Sequence, residues 1–311
     1  MKQRILLLVT VMGVALLGTA WLANTLPPVT AQGNGTTVRV SVATDGTEAN
    51  ARSGLYIPSA LSADGRYVVF DSSANNLVAD DTNGIYDVFL HDSQTHETTR
   101  VSVASDGTQG NESSGGSSIS ADGRTIVFQA RASNLILNDT NNEEDIFVHA
   151  RQTGETRRIS VGSDGTQGNG PSRSGAISAD GRFVTFTSSA SNLVPNDTND
   201  VGDAFVHDLE TGETTLVSVA TDGTQGNLAS GRSVISGDGR MVAFISYADN
   251  LVAGDTNRLL DVFVHDRQTG QTRRVSLASD GTEADEEVYD PGISADGRFV
   301  SFTSRAFTLA E

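Results

Sequence analysis

The chain has no cysteine, a single lysine and a single tryptophan among its 311 residues. Without cysteine no disulfide framework can hold it, so stability must come from a core, from turns and from any bound ions. The lysine is Lys2 and the tryptophan Trp21, both near the N-terminus, so beyond residue 31 the fixed positive charge is all arginine. No apolar run after residue 22 is long enough to cross a bilayer. Helical periodicity is missing as well, which removes leucine-rich and ankyrin-like solenoids. There is no G-x-S-x-G, H-E-x-x-H or phosphate-binding loop, so none of the short motifs of hydrolases, zinc peptidases or nucleotide enzymes applies.

Positive charge is scarce overall, with 21 Lys+Arg against 39 Asp+Glu and a formal net charge of −18. Such a surface repels phosphate backbones and argues against nucleic acid as a partner. It suits cations and basic partners, and it also keeps a chain soluble.

The N-terminus is the one apolar stretch. Met1-Lys2-Gln3-Arg4 precedes an almost wholly apolar run from Ile5 to Leu22, then Pro27-Pro28 and the small-residue site Val29-Thr30-Ala31. A basic start, an apolar centre and an A-x-A-like end imply a secretory signal peptide over residues 1–31, with an uncleaved anchor as the alternative. Residues 32–311 then form one exported domain that is secreted, periplasmic or held at the cell surface.

That domain is a tandem repeat. Asp-Gly-Arg starts at Asp64, Asp122, Asp180, Asp238 and Asp296, each step being 58 residues. Asp-Thr-Asn keeps the same step from Asp81 through Asp139 and Asp197 to Asp255. Asp-Gly-Thr recurs at Asp45, Asp106, Asp164, Asp222 and Asp280, where only the first interval differs, at 61. Within a unit the pattern is β throughout. Arg182 to Thr187 alternates with period two and is rich in aromatic and β-branched residues, Asp203 to Asp208 is a further strand, and Thr214 to Ala220 follows a turn at Glu210 to Glu213. With the short run Ser174 to Ser178 this makes four antiparallel strands per unit, the description of a propeller blade. The chain is therefore read as all-β, a β-propeller of four-stranded blades.

The run Ile177-Ser178-Ala179-Asp180-Gly181-Arg182-Phe183-Val184-Thr185-Phe186, followed by Phe205-Val206-His207-Asp208-Leu209-Glu210-Thr211-Gly212, resembles the WD40-like repeat of TolB-type propellers. The resemblance covers residues 55–304 and implies a propeller used as a binding platform. The chain lacks the separate N-terminal α/β domain of TolB, and its repeat exceeds the roughly 40–45 residues of a WD unit.

Naming the strands A (inner) to D (outer), complete blades run from about Leu55 to Ala104, Gly115 to Val161, Gly175 to Ala220 and Gly231 to Ala278. Val38 to Ala43 matches a D strand, and Val288 to Ser304 matches A and B, leaving a fifth blade without a C strand. Either the propeller is five-bladed with one poorly closed blade or it is part of a longer one. An open edge there would allow self-association.

The B–C and D–A loops share one face, where acidic motifs gather. Asp-x-Asn-x-x-x-Asp occurs as Asp81/Asn83/Asp87, Asp139/Asn141/Asp145, Asp197/Asn199/Asp203 and Asp255/Asn257/Asp261. Oxygen ligands at alternate positions with a later carboxylate suit Ca2+, so these residues are candidate metal ligands. The competing reading is an Asx-turn that caps the loop backbone. Asp-Gly-Arg reads as a hairpin turn. His91, His149, His207 and His265 lie in strand C of different blades, too far apart to share an ion, and read as buried hydrogen-bonding residues; His96 is a lone turn histidine. Residues that break the repeat are few, namely Tyr56, Pro58, Glu143, Glu144, Glu286, Glu287 and Tyr289. The glutamates could serve as acid and base, but a solvated loop is the better reading of them. No catalytic residue is assigned. The reading is a non-catalytic binding or scaffold propeller with an unidentified protein or glycan partner. The alternative is an extracellular hydrolase or lyase acting on glycans or peptides, which would need polar residues that differ from blade to blade at the central channel; no such cluster is read in the sequence.

Overall fold

A computed structural model describes residues 37–55 and 60–309, together with the strand β1 (Ile5–Leu6). The remaining leader residues and repeat-breaking Tyr56 and Pro58 lie outside the described residues.

Each repeat forms one sheet with its strands in chain order. Blade 1 is β2 (Ala60–Leu61), β3 (Tyr67–Ser72), β4 (Asp87–Asp92) and β5 (Thr98–Arg100). Blade 2 is β6 (Ser114–Ile119), β7 (Thr125–Ala130), β8 (Asp145–Ala150) and β9 (Glu155–Arg158). Blade 3 is β10 (Ser172–Ile177), β11 (Phe183–Ser188), β12 (Asp203–Asp208) and β13 (Thr214–Leu216). Blade 4 is β14 (Ser230–Ile235), β15 (Met241–Ser246), β16 (Asp261–Asp266) and β17 (Gln271–Arg274). Blade 5 has β18 (Val288–Ile293) and β19 (Val300–Ser304), with β1 antiparallel to β19 in the place of a C strand.

The B and C strands are apolar on both faces because the inner blades are covered by a neighbour on either side. Their paired phenylalanines stack across the sheet, Phe128 on Phe147 at 5.6 Å, Phe186 on Phe205 at 5.7 Å and Phe244 on Phe263 at 5.8 Å. Each pair is buried in one cluster with aliphatic side chains of the preceding blade, such as Val69 and Val88 for the first and Val127 and Ile146 for the second. The D strands are short and, apart from Leu216 in β13, made of polar and charged residues, which blunts an otherwise open outer edge.

Near the axis the A–B turns staple neighbouring blades together. Ala63 N–H donates to Ala121 O at 2.9 Å, Ala121 N–H to Ala179 O at 3.0 Å, and Gly237 N–H to Ala295 O at 2.8 Å. Where four turns have alanine the blade-4 turn has Gly237, and a Cβ there would lie 2.9 Å from Ala295 O and 3.2 Å from the Cβ of Ala179. The Asp-Gly-Arg hairpins form as expected, with Asp180 Oδ1 accepting from Ser178 Oγ and Arg182 N–H. Their arginines do more than cap. Arg182 grips Asp208 through two bonds of 3.0 and 2.8 Å, and Arg66–Asp92 and Arg240–Asp266 repeat the fork.

The strand-C histidines are buried hydrogen-bonding residues, and they also reach the preceding blade. His207 Nδ1 lies 2.9 Å from Thr214 Oγ1, which donates at 2.5 Å to Val161 O. Because the threonine proton goes to the carbonyl, the histidine must be the donor to the threonine, which fixes the Nδ1–H tautomer. His91, His149 and His265 make the same relay to Val42, Val103 and Val219.

The expectation of a D strand at Val38 to Ala43 is corrected. That segment makes only an isolated bridge, Val42 to Glu48, as do the D–A loops of the other blades. Its polar groups meet blade 1 as the D–A loops of blades 1 to 3 meet the next blade, with Thr98 Oγ1 donating to Val42 O and Thr98 N–H to Thr44 Oγ1.

The tight turn–blade contact is sharpest at Gly239, which has φ +71 and an ideal Cβ position 2.0 Å from the Phe183 ring. Gly239→Ala should therefore combine backbone strain with overpacking and lower stability by about 2–4 kcal/mol. Urea denaturation monitored by tyrosine fluorescence checks this, and an unchanged midpoint would refute the contact.

Candidate functional site

The Asp-x-Asn-x-x-x-Asp residues do come together on the B–C and D–A face, one set per blade. Asn141 Oδ1 accepts from Glu143 N–H at 3.0 Å, while its Nδ2 donates to Gly168 O and to Asp145. Asn83, Asn199 and Asn257 likewise cap the N–H two residues on and hold a D–A loop carbonyl. The asparagines thus act as Asx-turn caps and loop-to-loop ties. The later aspartates open strand C and are fully buried, each accepting from a serine two residues past the D strand, as Asp145 does from Ser160 at 2.5 Å.

A cation already stands between the two carboxylates in three blades. Arg158 Nη1 lies 3.2 Å from both Asp139 and Asp145. Arg274 Nη1 lies 2.9 Å from Asp255, 3.2 Å from Asp261 and 2.7 Å from Glu283. Arg100 approaches Asp81 and Asp87 at 3.8 and 3.9 Å. All three guanidinium-bearing side chains are nearly inaccessible to solvent. Among the described residues no group of three or more His, Cys, Asp or Glu is arranged to hold a metal ion.

Burial dominates the electrostatics. It pushes Asp87, Asp145 and Asp203 above the usual carboxylate range despite their hydroxyl and amide donors. Asp255 is pushed up to about 6, burial outweighing the pull of Arg274. Glu283, near the surface and hydrogen-bonded to Thr256, is instead drawn down to about 2.

A second cluster lies nearer the axis. The A strands of neighbouring blades contact one another and line the centre. Four of them, β6, β10, β14 and β18, carry a bulge, and the bulge residues Gly116, Ser174, Arg232 and Asp290 all have positive φ. They stand at equivalent positions of the repeat and are all different, which corrects the expectation that no polar residues near the centre vary from blade to blade. Around them Glu144 accepts from Gln129 at 3.0 Å and from Arg173 at 2.5 Å, and Ser174 N–H donates to Gln129. Arg232 pairs with Asp290, and Glu287 accepts from the hydroxyls of Tyr247 and Tyr289. Of the repeat-breaking residues, Glu144, Glu287 and Tyr289 join this cluster. Sequence reasoning missed Arg173, Arg232 and Asp290, although lining up the chain at the 58-residue step sets Gly116, Ser174, Arg232 and Asp290 side by side. It also missed Arg100, Arg158 and Arg274, which the same step exposes.

The sequence matches no protein-family model and no curated protein. Among solved structures it is similar to an oligogalacturonate lyase in complex with manganese, with a TM-score of 0.52 and 14% identity over 84% of this chain and 62% of that one. It is also similar to TolB from Acinetobacter baumannii (TM-score 0.45, 18% identity, 84% of this chain) and to the β-propeller domain of the Trilobed protease from Pyrococcus furiosus (TM-score 0.48, 12% identity, 84% of this chain). The chain spans 56% of the length of the former and 66% of the latter. The class is thus a β-propeller. Within it the likeness, including that to the TolB-type proteins, is one of fold.

Two predictions follow from the buried charge. Arg274→Gln leaves Asp255 and Asp261 without their cation and should cost about 3–5 kcal/mol in chemical denaturation at pH 7; a loss below about 1 kcal/mol would mean the pair is already solvated. Burial pulls the pKa of His207 from 6.5 down to about 4. Between those values the unfolded chain takes up a proton that the folded chain refuses, so stability should fall as pH drops through this window. His207→Gln should reduce that loss by up to about 3 kcal/mol, read as the difference between variant and parent in urea melts at pH 7 and pH 4.5.

Proposed function

We propose that this propeller is an exported, non-catalytic binding module whose ligand sits at the axial mouth of the B–C and D–A face. The observation that carries this is the concentration there of side chains that differ from blade to blade. Over most of the remaining surface the blades are close copies, and a surface made of copies cannot readily read an asymmetric ligand. Arg173 and Arg232 are both largely exposed, and with Tyr247 and Tyr289 they offer guanidinium and aromatic surface, the chemistry that grips sugars and peptides.

Two features support binding over catalysis. Each acid of the mouth described above is engaged by an arginine, an amide or a phenol. Two carboxyls poised as acid and base would need different environments, as in glycoside hydrolysis. The likeness to an oligogalacturonate lyase raises the alternative of an enzyme acting on acidic sugars. A chain of net charge −18 is poorly suited to attract a polyanion. Export rests on the basic and apolar leader. The Asp-x-Asn loops serve, in this reading, as internal clamps that hold the D–A loops to the B–C loops, with Ca2+ not needed where arginine is present.

The test is a glycan array and a peptide library probed with the purified protein. Binding should weaken at least about tenfold in the double variant Arg173→Ala, Arg232→Ala, whose exposed positions leave the fold intact. Turnover of a polysaccharide or peptide that disappears in Glu286→Gln, Glu287→Gln would overturn the reading in favour of an enzyme. A melt in millimolar calcium against EDTA should show little shift.

A further inference from the structure

The fourth member of the clamp series is different. D-strand positions Arg100, Arg158 and Arg274 are matched in blade 3 by Leu216. The carboxylates remain. Asp203 is fully buried, and Asp197 shares with it the amide of Gln225, whose Nε2 donates at 2.7 Å to Asp197 and 3.0 Å to Asp203. Asn199 and Ser218 supply the other donors to Asp203, at 2.8 and 2.7 Å. All of these are neutral. Among the described residues no arginine, lysine or histidine lies within ion-pair distance of either acid, whereas the sister pairs each have one.

Beside the pair lies an opening whose lining holds its amide donors Asn199 and Gln225 but neither acid. A cleft of about 800 Å³ lies over Leu216, bounded by Asn196, Asn199, Thr215 and Gln225. The backbone is also ready. In blades 1 and 4 the second guanidinium nitrogen donates to a B–C loop carbonyl, Asp80 O or Gly254 O, each at 3.1 Å. The equivalent carbonyl is that of Asn196, on the wall of the cleft. In blade 1 the glutamine amide bridges both acids while Arg100 Nη1 stands 3.8 and 3.9 Å from them, so a guanidinium beside a bridging Gln225 would act on the acids by charge and donate its hydrogen bond to the carbonyl.

We propose that blade 3 is a receptor for an arginine side chain of a partner polypeptide, which enters the cleft and completes from outside the clamp that the other blades complete from within. The fork-shaped, weakly hydrated guanidinium can meet two carboxylates and a carbonyl at once. A lysine ammonium presents one charge point and lacks the second, divergent donor that reaches the carbonyl. A bare divalent cation would have to displace the bridging Gln225 amide, whose hydrogens face both acids. This site is separate from the axial mouth and does not depend on how that mouth is used.

The experiment is calorimetric titration of the purified protein with the peptide acetyl-Gly-Arg-Gly-amide, its lysine counterpart and calcium chloride. One arginine peptide should bind per chain, with the lysine peptide at least about tenfold weaker. Leu216→Arg should abolish that binding and raise the urea midpoint, because the clamp is then filled internally. Leu216→Met, which brings no charge, should leave binding within about threefold of the parent and guards against misfolding as the cause of loss. Three results would each overturn the proposal. These are an absence of arginine-peptide binding at millimolar concentration, binding that persists in Leu216→Arg, and calcium binding that Leu216→Arg removes while the arginine peptide has no effect.

Discussion

A four-stranded sheet whose middle strands are apolar on both faces cannot exist alone in water, and this constraint organises the whole molecule. Phe186 and Phe205 stack within one blade, but they are buried only because Val127 and Ile146 of the preceding blade cover them. The same demand passes from blade to blade. At the ends of the series it is met differently, with Ala49 and the loop residues Leu77 and Val78 packing near Phe70 and Phe89 in blade 1. Blade 5, with two strands of its own, has Phe302 against Val262 of blade 4 on one side.

Polar groups then lock the register that the apolar faces allow. The fork between Arg182 and Asp208 ties an A–B hairpin to the end of strand C. The His207–Thr214–Val161 relay ties strands C and D to the preceding D–A loop. Each relay is inside the protein, so its histidine is held neutral and its one tautomer is set by the threonine. The clamps work at the opposite end of the blade, where buried carboxylates are held by hydroxyl and amide donors and, in three blades, by an arginine from the D strand. Where it is present, that charge offsets part of the cost of removing two carboxylates from water.

Legibility in the sequence followed the distribution of these constraints. The five Asp-Gly-Arg hairpins and the four-strand unit were readable because strand period, turn chemistry and the 58-residue step agree. So was the incomplete fifth blade. The Asp-x-Asn sets were readable as a place but not as a chemistry, since alternating oxygen donors suit a metal loop and a turn cap equally. Deciding needs the partner, and the partner is an arginine about 13 to 19 residues away in sequence, on another strand. The bulge residues Ser174, Arg232 and Asp290 were missed because period-two reasoning assigns a strand residue to one face or the other. A left-handed residue in a bulge obeys neither rule and projects where the alternation does not predict.

Repetition also gives a reference that a single domain of unrelated parts lacks. Arg158 and Arg274 show what a carboxylate pair of this geometry holds when the chain supplies the cation, so Leu216 can be read against a known occupant rather than against a general rule. The substitution removes a charge from a buried acidic pair and leaves both acids in place. A change that served stability alone would neutralise the acids together with the base, as an Asp-to-Asn exchange would at little structural cost. Keeping Asp197 and Asp203 while losing the arginine leaves a site with a deficit of one positive charge, opening on a cleft. In an otherwise copied framework, departures of this kind mark where the molecule is addressed to something outside itself. The axial mouth and the blade-3 clamp are two such departures, and both lie on the face formed by the B–C and D–A loops.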